Sequence, residues 1–425
     1  MLNRNPKKKK IFIDCDNSIG IEGKPMDDAL ALLFLMGCSD EAEIVGIGCN
    51  FGNCSSAEAY ECTRQLLEET GRQDIPVLKG NEPGMAGIMS PAAEFIVSIY
   101  NDYPGEIIYL SIGSLGNLYE ACMIDGSLPE KIPQLVLMGG ITEPLFIHGK
   151  SLHELNFSVN PKASTYVLNR FHNITVITGN NCLPVADIPK DEFLENLCRN
   201  ENPSGMYVAQ KCGYRFRDKR LVYGADVSYC WDGIAAVYVL HPELFADNEV
   251  YCNINESDIS DSGYLAPSPE ELSTNRLNIP SAIDKQQIQQ LFYKGWINLD
   301  IDTKNADYAC FGLYLDRLIQ PCVLIELSKE PAYGFQLLQR LIMHGYADEK
   351  LDPSGFYRNL KRMERDGYLR SEPALQGEKA KRIFHITDFG RITLLNWEDS
   401  LRKYHEHIGN IVCGISEINN RHDNI

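Results

Sequence analysis

The chain has 425 residues, 44 % of them hydrophobic, with 58 Asp and Glu against 40 Lys and Arg and a formal net charge of -18. That length suits two domains, and the acidity argues against general nucleic-acid binding by the chain as a whole. No apolar run reaches the roughly 18 residues of a membrane span, and the basic start, Met1 to Lys10, leads into a strand and not into a signal-peptide core. The 14 cysteines form no Cys-x-x-Cys pair, which predicts free thiols in a reducing cytoplasm.

In chain order, Ile11-Phe12-Ile13-Asp14-Cys15-Asp16 reads as a buried strand that ends in acids. Side chains alternate along a strand, which predicts Asp14 and Asp16 on one face. Asp27 and Asp28 open the apolar run Ala29 to Gly37, where acids suit the free N–H groups and dipole of a helix start. Strand end and helix start together would bring four carboxylates into the crevice where open α/β sheets bind ligands. Such charges repel unless neutralised, and a hard divalent cation held by carboxylate oxygens does that. Strand-end and helix-capping acids without a metal are the plainer alternative.

Further strands are predicted at Glu43–Asn50, Ile75–Leu78, Ile107–Ile112, Gln134–Met138 and Thr175–Ile177, with helices from Ser55 to Glu69 and from Ala92. This alternation predicts a mainly parallel open sheet with helices on both faces. Several polar residues follow strand ends. Taken singly, Asn53 could cap the helix near Ser55, Glu154 and Asn156 could be loop polars, Trp231 could be core, and Asp232 could merely start an Ala-rich helix.

Together these residues resemble the nucleoside hydrolases. Asp14, Asp16, Asp27 and Asp28 fall on the four acids of the signature Asp-x-Asp-Pro-Gly-x-Asp-Asp-Ala, although Asn17-Ser18 replaces Pro-Gly and ten residues separate Asp16 from Asp27 where the pattern has three. Phe51-Gly52-Asn53 resembles the family's Ala-Gly-Asn, Ile112 to Asn117 its Gly-Pro-Leu-Thr-Asn turn, and Leu137-Met138-Gly139-Gly140 a further motif. Glu154-Leu155-Asn156 resembles Glu-Phe-Asn, and Cys230-Trp231-Asp232 to Ala236 the late His/Trp-Asp-x-x-Ala motif. The resemblance runs from about Lys8 to Leu299. It implies Ca²⁺-dependent hydrolysis of the N-glycosidic bond of ribonucleosides, with Asp16, Asp28, Asp232 and the Ile112 carbonyl holding Ca²⁺. Asp16 would also be the general base, while Asp27, Asn53, Met138, Glu154, Asn156 and Trp231 would bind substrate and Asp14 would give support from behind. A Trp where many members have a leaving-group His resembles the purine-preferring branch. The family's His-Gly-x-x-Gly region is absent, and Asn81 to Pro91 stands in its place.

Beyond a polar stretch near Asp300 the charge balance changes, with 15 Lys and Arg against 14 Asp and Glu between Asp316 and Glu406. Pro331 to Leu337, Asp352 to Leu369 and Lys381 to Gly390 resemble the winged-helix domain of PadR-type regulators. This resemblance makes Ser354 to Asp366 a recognition helix, with Phe356 or Tyr357, Leu360 and Met363 facing the core at helical spacing. Arg358, Lys361, Arg362 and Arg365 would face DNA, and Lys379, Lys381 and Arg382 on the wing would meet phosphate. A solvated amphipathic helix in a protein-docking module is the alternative. Trp397 to Ile411 reads as a terminal helix of the kind that dimerises in this family.

The expected organisation is a hydrolase domain over residues 8–300, a linker over 301–315, a winged-helix domain over 316–412 and a tail over 413–425. The leading expectation is a cytoplasmic nucleoside hydrolase coupled to DNA binding, forming homo-oligomers and needing no membrane. The alternative is a regulator that senses a nucleoside without hydrolysing it.

Overall fold

The computed structural model describes residues 8–21, 23–82, 85, 89–199, 202–213, 227–273, 275–301, 315–347, 353–365, 368–376, 379–387, 390, 391, 394 and 405. Of the stretch expected as a linker, 301–315, residues 302–314 lie outside this set, as does nearly all of the expected terminal helix. The chain divides into two compact units, Met1–Asp307 and Tyr308–Ile425. Among the described residues no helix is long and apolar enough to cross a membrane.

The first unit begins with β1 (Lys9–Cys15), α1 (Asp27–Gly37), β2 (Ala42–Cys49), α2 (Ser56–Glu69), β3 (Val77–Lys79), α3 (Pro91–Asp102) and β4 (Ile107–Ser111). Then follow α4 (Gly116–Ile124), α5 (Leu128–Lys131), β5 (Leu135–Met138), the hairpin β6 (Leu145–Ile147) and β7 (Lys150–Leu152), α6 (Pro161–Arg170) and β8 (Ile174–Ile177). Next come α7 (Gly179–Ala186), β9 (Asp187–Pro189), α8 (Lys190–Cys198), α9 (Pro203–Gly213), β10 (Val227–Tyr229) and α10 (Trp231–Leu240). The unit closes with β11 (Phe245–Ala246), β12 (Glu249–Asn253), α11 (Glu256–Ser262), β13 (Ala266–Pro267), β14 (Asn275–Asn278), β15 (Ser281–Ala282) and α12 (Lys285–Ile297).

The central sheet has nine strands in the order β13-β12-β14-β8-β5-β4-β1-β2-β3. From β3 to β14 every pairing is parallel, and β12 and β13 add an antiparallel edge. That edge lies beyond the strands expected from sequence. Its strands are short and broken by polar residues, so they carry little periodic signal. The strand order reverses at β1, where the chain moves out to β2 and β3 and returns to β4 on the other side. Open sheets place their ligand crevice at the carboxyl ends of such strands.

Helix α1 holds the acids at this crevice. Every residue from Asp27 to Met36 is buried, as befits an apolar helix covered on all sides. It packs on α10 and α12. Where α1 meets α12, a Cβ on Gly37 would strike the Gly295 carbonyl, so only glycine permits the approach. The Trp296 indole donates to the Leu30 carbonyl at 2.9 Å and locks the pair.

The second unit contains α13 (Leu315–Lys329), β16 (Ala332–Tyr333), α14 (Gly334–Met343), α15 (Pro353–Arg365), β17 (Leu369–Gln376) and β18 (Lys379–Ile386). The three strands form one antiparallel sheet in the order β16-β18-β17, the winged helix-turn-helix arrangement. Phe356, Leu360 and Met363 of α15 are buried in its core, whereas Tyr357 is exposed. Of the two aromatic candidates for the core face, Phe356 is therefore the one used.

Candidate active site

Strand β1 ends at Cys15, so the alternation expected to place Asp14 and Asp16 on one face does not extend to Asp16. The buried Asp14 carboxylate accepts from the Tyr109 hydroxyl and from Asn117 Nδ2, the latter at 2.8 Å. Burial pushes its pKa up to about 6, against the lowering effect of those hydrogen bonds. Asp14 thus braces β1 against β4 and α4.

Asp16 turns to the opposite neighbour. Its carboxylate accepts from the Asn53 backbone N–H at 2.5 Å and from Asn53 Nδ2 at 3.1 Å, and its own N–H donates to Asp28 Oδ1 at 3.0 Å. Asn53 Nδ2 also reaches Asp28 Oδ2 at 3.4 Å, so one amide bridges two carboxylates. A Cβ on Gly52 would collide with the Asp16 carboxylate, which accounts for the glycine before Asn53. Asn53 is not the cap of α2: Ser55 and Glu58 form a reciprocal capping box there and leave Asn53 for the acids.

Asp27, Asp28 and Asp232 are buried, and each offers a carboxylate oxygen lying within 4.8 Å of the other two. Asp27 and Asp28 occupy the first turn of α1, and Asp232 that of α10. Burial first, and repulsion from neighbouring carboxylates second, pushes the pKa values of Asp28 and Asp232 well above the usual carboxylate range. A set of hard oxygen donors that repel one another fits a hard divalent cation. Asp16, raised mainly by burial, lies beside this trio and is tied to it through Asn53 and Asp28.

A cavity of about 240 Å³ opens beside the trio, lined by Asp27, Asp232, Asn53, Glu154, Asn156 and Trp231, with the Ile112 carbonyl segment and Met138 also on its wall. Asn156 Nδ2 donates to the carbonyls of Ile112 at 3.1 Å and Met138 at 3.0 Å, which fixes the amide across two strand ends. An amide carbonyl has two lone pairs, so that bond leaves Ile112 one for a cation. The Glu154 carboxylate accepts from the N–H groups of Phe157 at 2.9 Å and Ser158 at 3.1 Å. Burial pushes it to about 7 despite those bonds. Gly263, at φ 69°, keeps space for this carboxylate that a Cβ would fill.

Trp231 begins α10 and stacks on Tyr229, with ring centroids 5.5 Å apart and planes at 24°. It is a cavity wall and only partly buried, unlike the core residue Trp296. His241 caps the far end of α10 and pairs with Glu243 and Glu41, remote from the cavity. His153 and Tyr229 also line the cavity and were not anticipated. The available signal was adjacency, since each sits beside or near an anticipated residue, Glu154 or Trp231.

On the second unit, Arg358 and Lys361 are exposed and Arg362 is half-buried. The side chains of Arg365 and Lys379 lie outside the described residues. Lys381 stands 5.9 Å from the Tyr333 ring centroid, and the exposed Arg382 donates to Ser371 Oγ at 2.6 Å.

The family model for inosine-uridine preferring nucleoside hydrolases matches residues 11–290, and that for the transcriptional regulator PadR-like family matches residues 323–396. Uridine nucleosidase 1 of Arabidopsis thaliana is 29 % identical over 271 residues, covering 56 % of this chain and 76 % of that protein. The inosine-uridine preferring nucleoside hydrolase of Crithidia fasciculata is 23 % identical over 277 residues, covering 58 % and 83 % respectively. In fold, the purine-preferring ribonucleoside hydrolase of Gardnerella vaginalis superposes with a TM-score of 0.58 at 16 % identity, over 69 % of this chain and 99 % of that one. With the acids, Asn53 and Asn156 gathered at the switch point of its parallel sheet, this chain belongs to the inosine-uridine preferring nucleoside hydrolase family of N-glycosidases and carries a PadR-like winged helix after that domain.

Proposed function

We propose that the first unit hydrolyses ribonucleosides to ribose and free base with Ca²⁺ bound at the acid cluster. The observation that carries this reading is the buried trio Asp27, Asp28 and Asp232 opening on a cavity lined by amide and carboxylate side chains. Asp16, Asp28, Asp232 and the Ile112 carbonyl would hold the cation, which when bound would anchor ribose hydroxyls and acidify a water. Asp16 is the general base that takes the water's proton, oriented by both N–H donors of Asn53. Asp27, Asn53, Glu154 and Asn156 grip the ribose, and their carboxylates favour positive charge developing on the sugar as the C–N bond breaks. Met138 packs behind Asn156, with its carbonyl fixing that amide.

Trp231, already stacked on Tyr229, offers its face to the base, and a purine presents the wider surface. Several similar proteins are named for uridine, so the ratio of inosine to uridine turnover is the decisive readout for base choice. We further propose that α15 and the β17–β18 wing bind DNA as a homo-oligomer, with Arg358, Lys361, Arg362 and Arg365 toward the groove and Lys381 and Arg382 toward phosphate.

The test is base release from a panel of purine and pyrimidine nucleosides with Ca²⁺ and with chelator. Chelator-sensitive release is expected. Release unaffected by chelator would overturn the metal assignment, and tight binding without release would make the domain a nucleoside sensor.

A further inference from the structure

Breaking the C–N bond leaves an electron pair on the base, which departs readily only when a proton meets it. Position 231 holds an indole, which supplies none, and His241 lies at the other end of α10. Among the described residues lining the cavity His153 is the one imidazole, and this is the side-chain type that both carries and releases a proton near neutrality. It stands directly before Glu154, whose carboxylate is held by the Phe157 and Ser158 N–H groups, and is itself exposed, so solvent can restore its proton. Its cavity is the one that Tyr229 and Trp231 also wall, where stacking would seat a base.

We propose that His153 is a catalytic residue, the general acid that protonates the departing base. The inference rests on the hydrolase reading above. In the step, water adds its oxygen to C1′ and gives a proton to Asp16. The C1′–N pair moves into the base ring, and the His153 imidazolium gives its proton to a ring atom of the base. Neutral base and ribose leave, and both side chains exchange back with solvent.

The experiment compares His153→Gln and His153→Ala with the native full-length chain in the presence of Ca²⁺. The substrates are inosine, uridine and p-nitrophenyl β-D-ribofuranoside, whose phenolate leaves without a proton. Expected is a loss of about 10²–10⁴-fold in kcat on the nucleosides, the range of general-acid catalysis. The nitrophenyl riboside should be turned over as before, and the fall in kcat toward high pH should vanish with the imidazole. Equal losses on all three substrates, or no loss on the nucleosides, would overturn the proposal. If the native chain cleaves the nitrophenyl riboside but neither nucleoside, the proton donor and the nucleoside reading both fail and only an activated-riboside activity is left. If it cleaves none of the three, the hydrolase reading itself fails.

Discussion

At the β1–α1 crevice, Asp16, Asp27, Asp28 and Asp232 are buried side by side, whereas on α15 and the wing Arg358, Lys361, Lys381 and Arg382 stand in solvent. The first arrangement stores repulsion that burial amplifies, because the low dielectric strengthens every charge interaction and strips hydration. The second stores almost none, since water and salt screen it. The first site should therefore respond sharply when a member is lost. The other should weaken by degrees.

The largest effect tests the sharp failure. Asp16→Ala should lower base release by about 10²–10⁴-fold, the contribution of a general base, and should reduce the thermal stabilisation given by Ca²⁺. Unchanged turnover would remove Asp16 from the chemistry. Asp232→Asn offers the complementary view: it should abolish the Ca²⁺-induced rise in Tm while raising the Tm of the metal-free chain, because one of the mutually repelling charges is gone.

The burial of these carboxyls, with repulsion added at Asp28 and Asp232, also has a pH signature. Asp14 at about 6 and Glu154 at about 7 bind protons more tightly in the folded chain than when unfolded, and Asp28 and Asp232 are raised as well. A carboxyl raised on folding contributes stability that is full below its unfolded pKa and is lost as pH rises through the folded one. The metal-free first unit should thus lose stability between about pH 4 and pH 7, each group contributing roughly 1.4 kcal/mol for every tenfold by which folding tightens its hold on the proton. Excess Ca²⁺ should flatten that slope. Melting curves at pH 5 and pH 7.5, with chelator and with Ca²⁺, measure it, and identical slopes would place the cation elsewhere.

A smaller effect is expected at Trp231, where the contribution is stacking and not charge. Trp231→Ala should raise KM by roughly two- to twelvefold, in line with about 0.5–1.5 kcal/mol for an aromatic pair. The loss should be greater for inosine than for uridine if the purine face is what Trp231 covers. Equal losses would assign base choice to other walls of the cavity.

How much of this was legible in sequence follows the same contrast. The crevice was readable because acids ending an apolar run and opening another are chemically costly and serve few purposes. Asn53 was left between helix cap and ribose binder in sequence, and only the Ser55–Glu58 capping box seen in the structure removes the cap role. The buried face of α15 followed from helical spacing, although Phe356 and Tyr357 differ by one position and only packing separates them. His153 and Tyr229 were legible only as neighbours of anticipated residues, because nothing else local distinguishes a cavity wall from a loop. The antiparallel edge β12–β13 was missed because polar residues interrupt it, whereas the equally short β5 and β8 are nearly continuous apolar runs. The one-face expectation for Asp14 and Asp16 failed because β1 stops a residue early.

The gentlest perturbation tests the second half of the comparison. Arg362 lies on α15 among the exposed cations, half-buried and engaged within the fold. If it also meets a phosphate, Arg362→Ala removes one counterion-releasing contact, so the slope of log affinity against log salt should fall by about 0.9. The affinity loss should be nearly uniform across DNA sequences, because phosphate contacts position a protein without reading bases. Nucleoside hydrolysis should stay unchanged, since Arg362 belongs to the other compact unit. A loss confined to certain sequences would instead place the guanidinium on a base edge. An unchanged salt slope would leave Arg362 a structural cation of the helix, and the distinction between a site that needs its charges and a surface that merely displays them would then run through α15 itself.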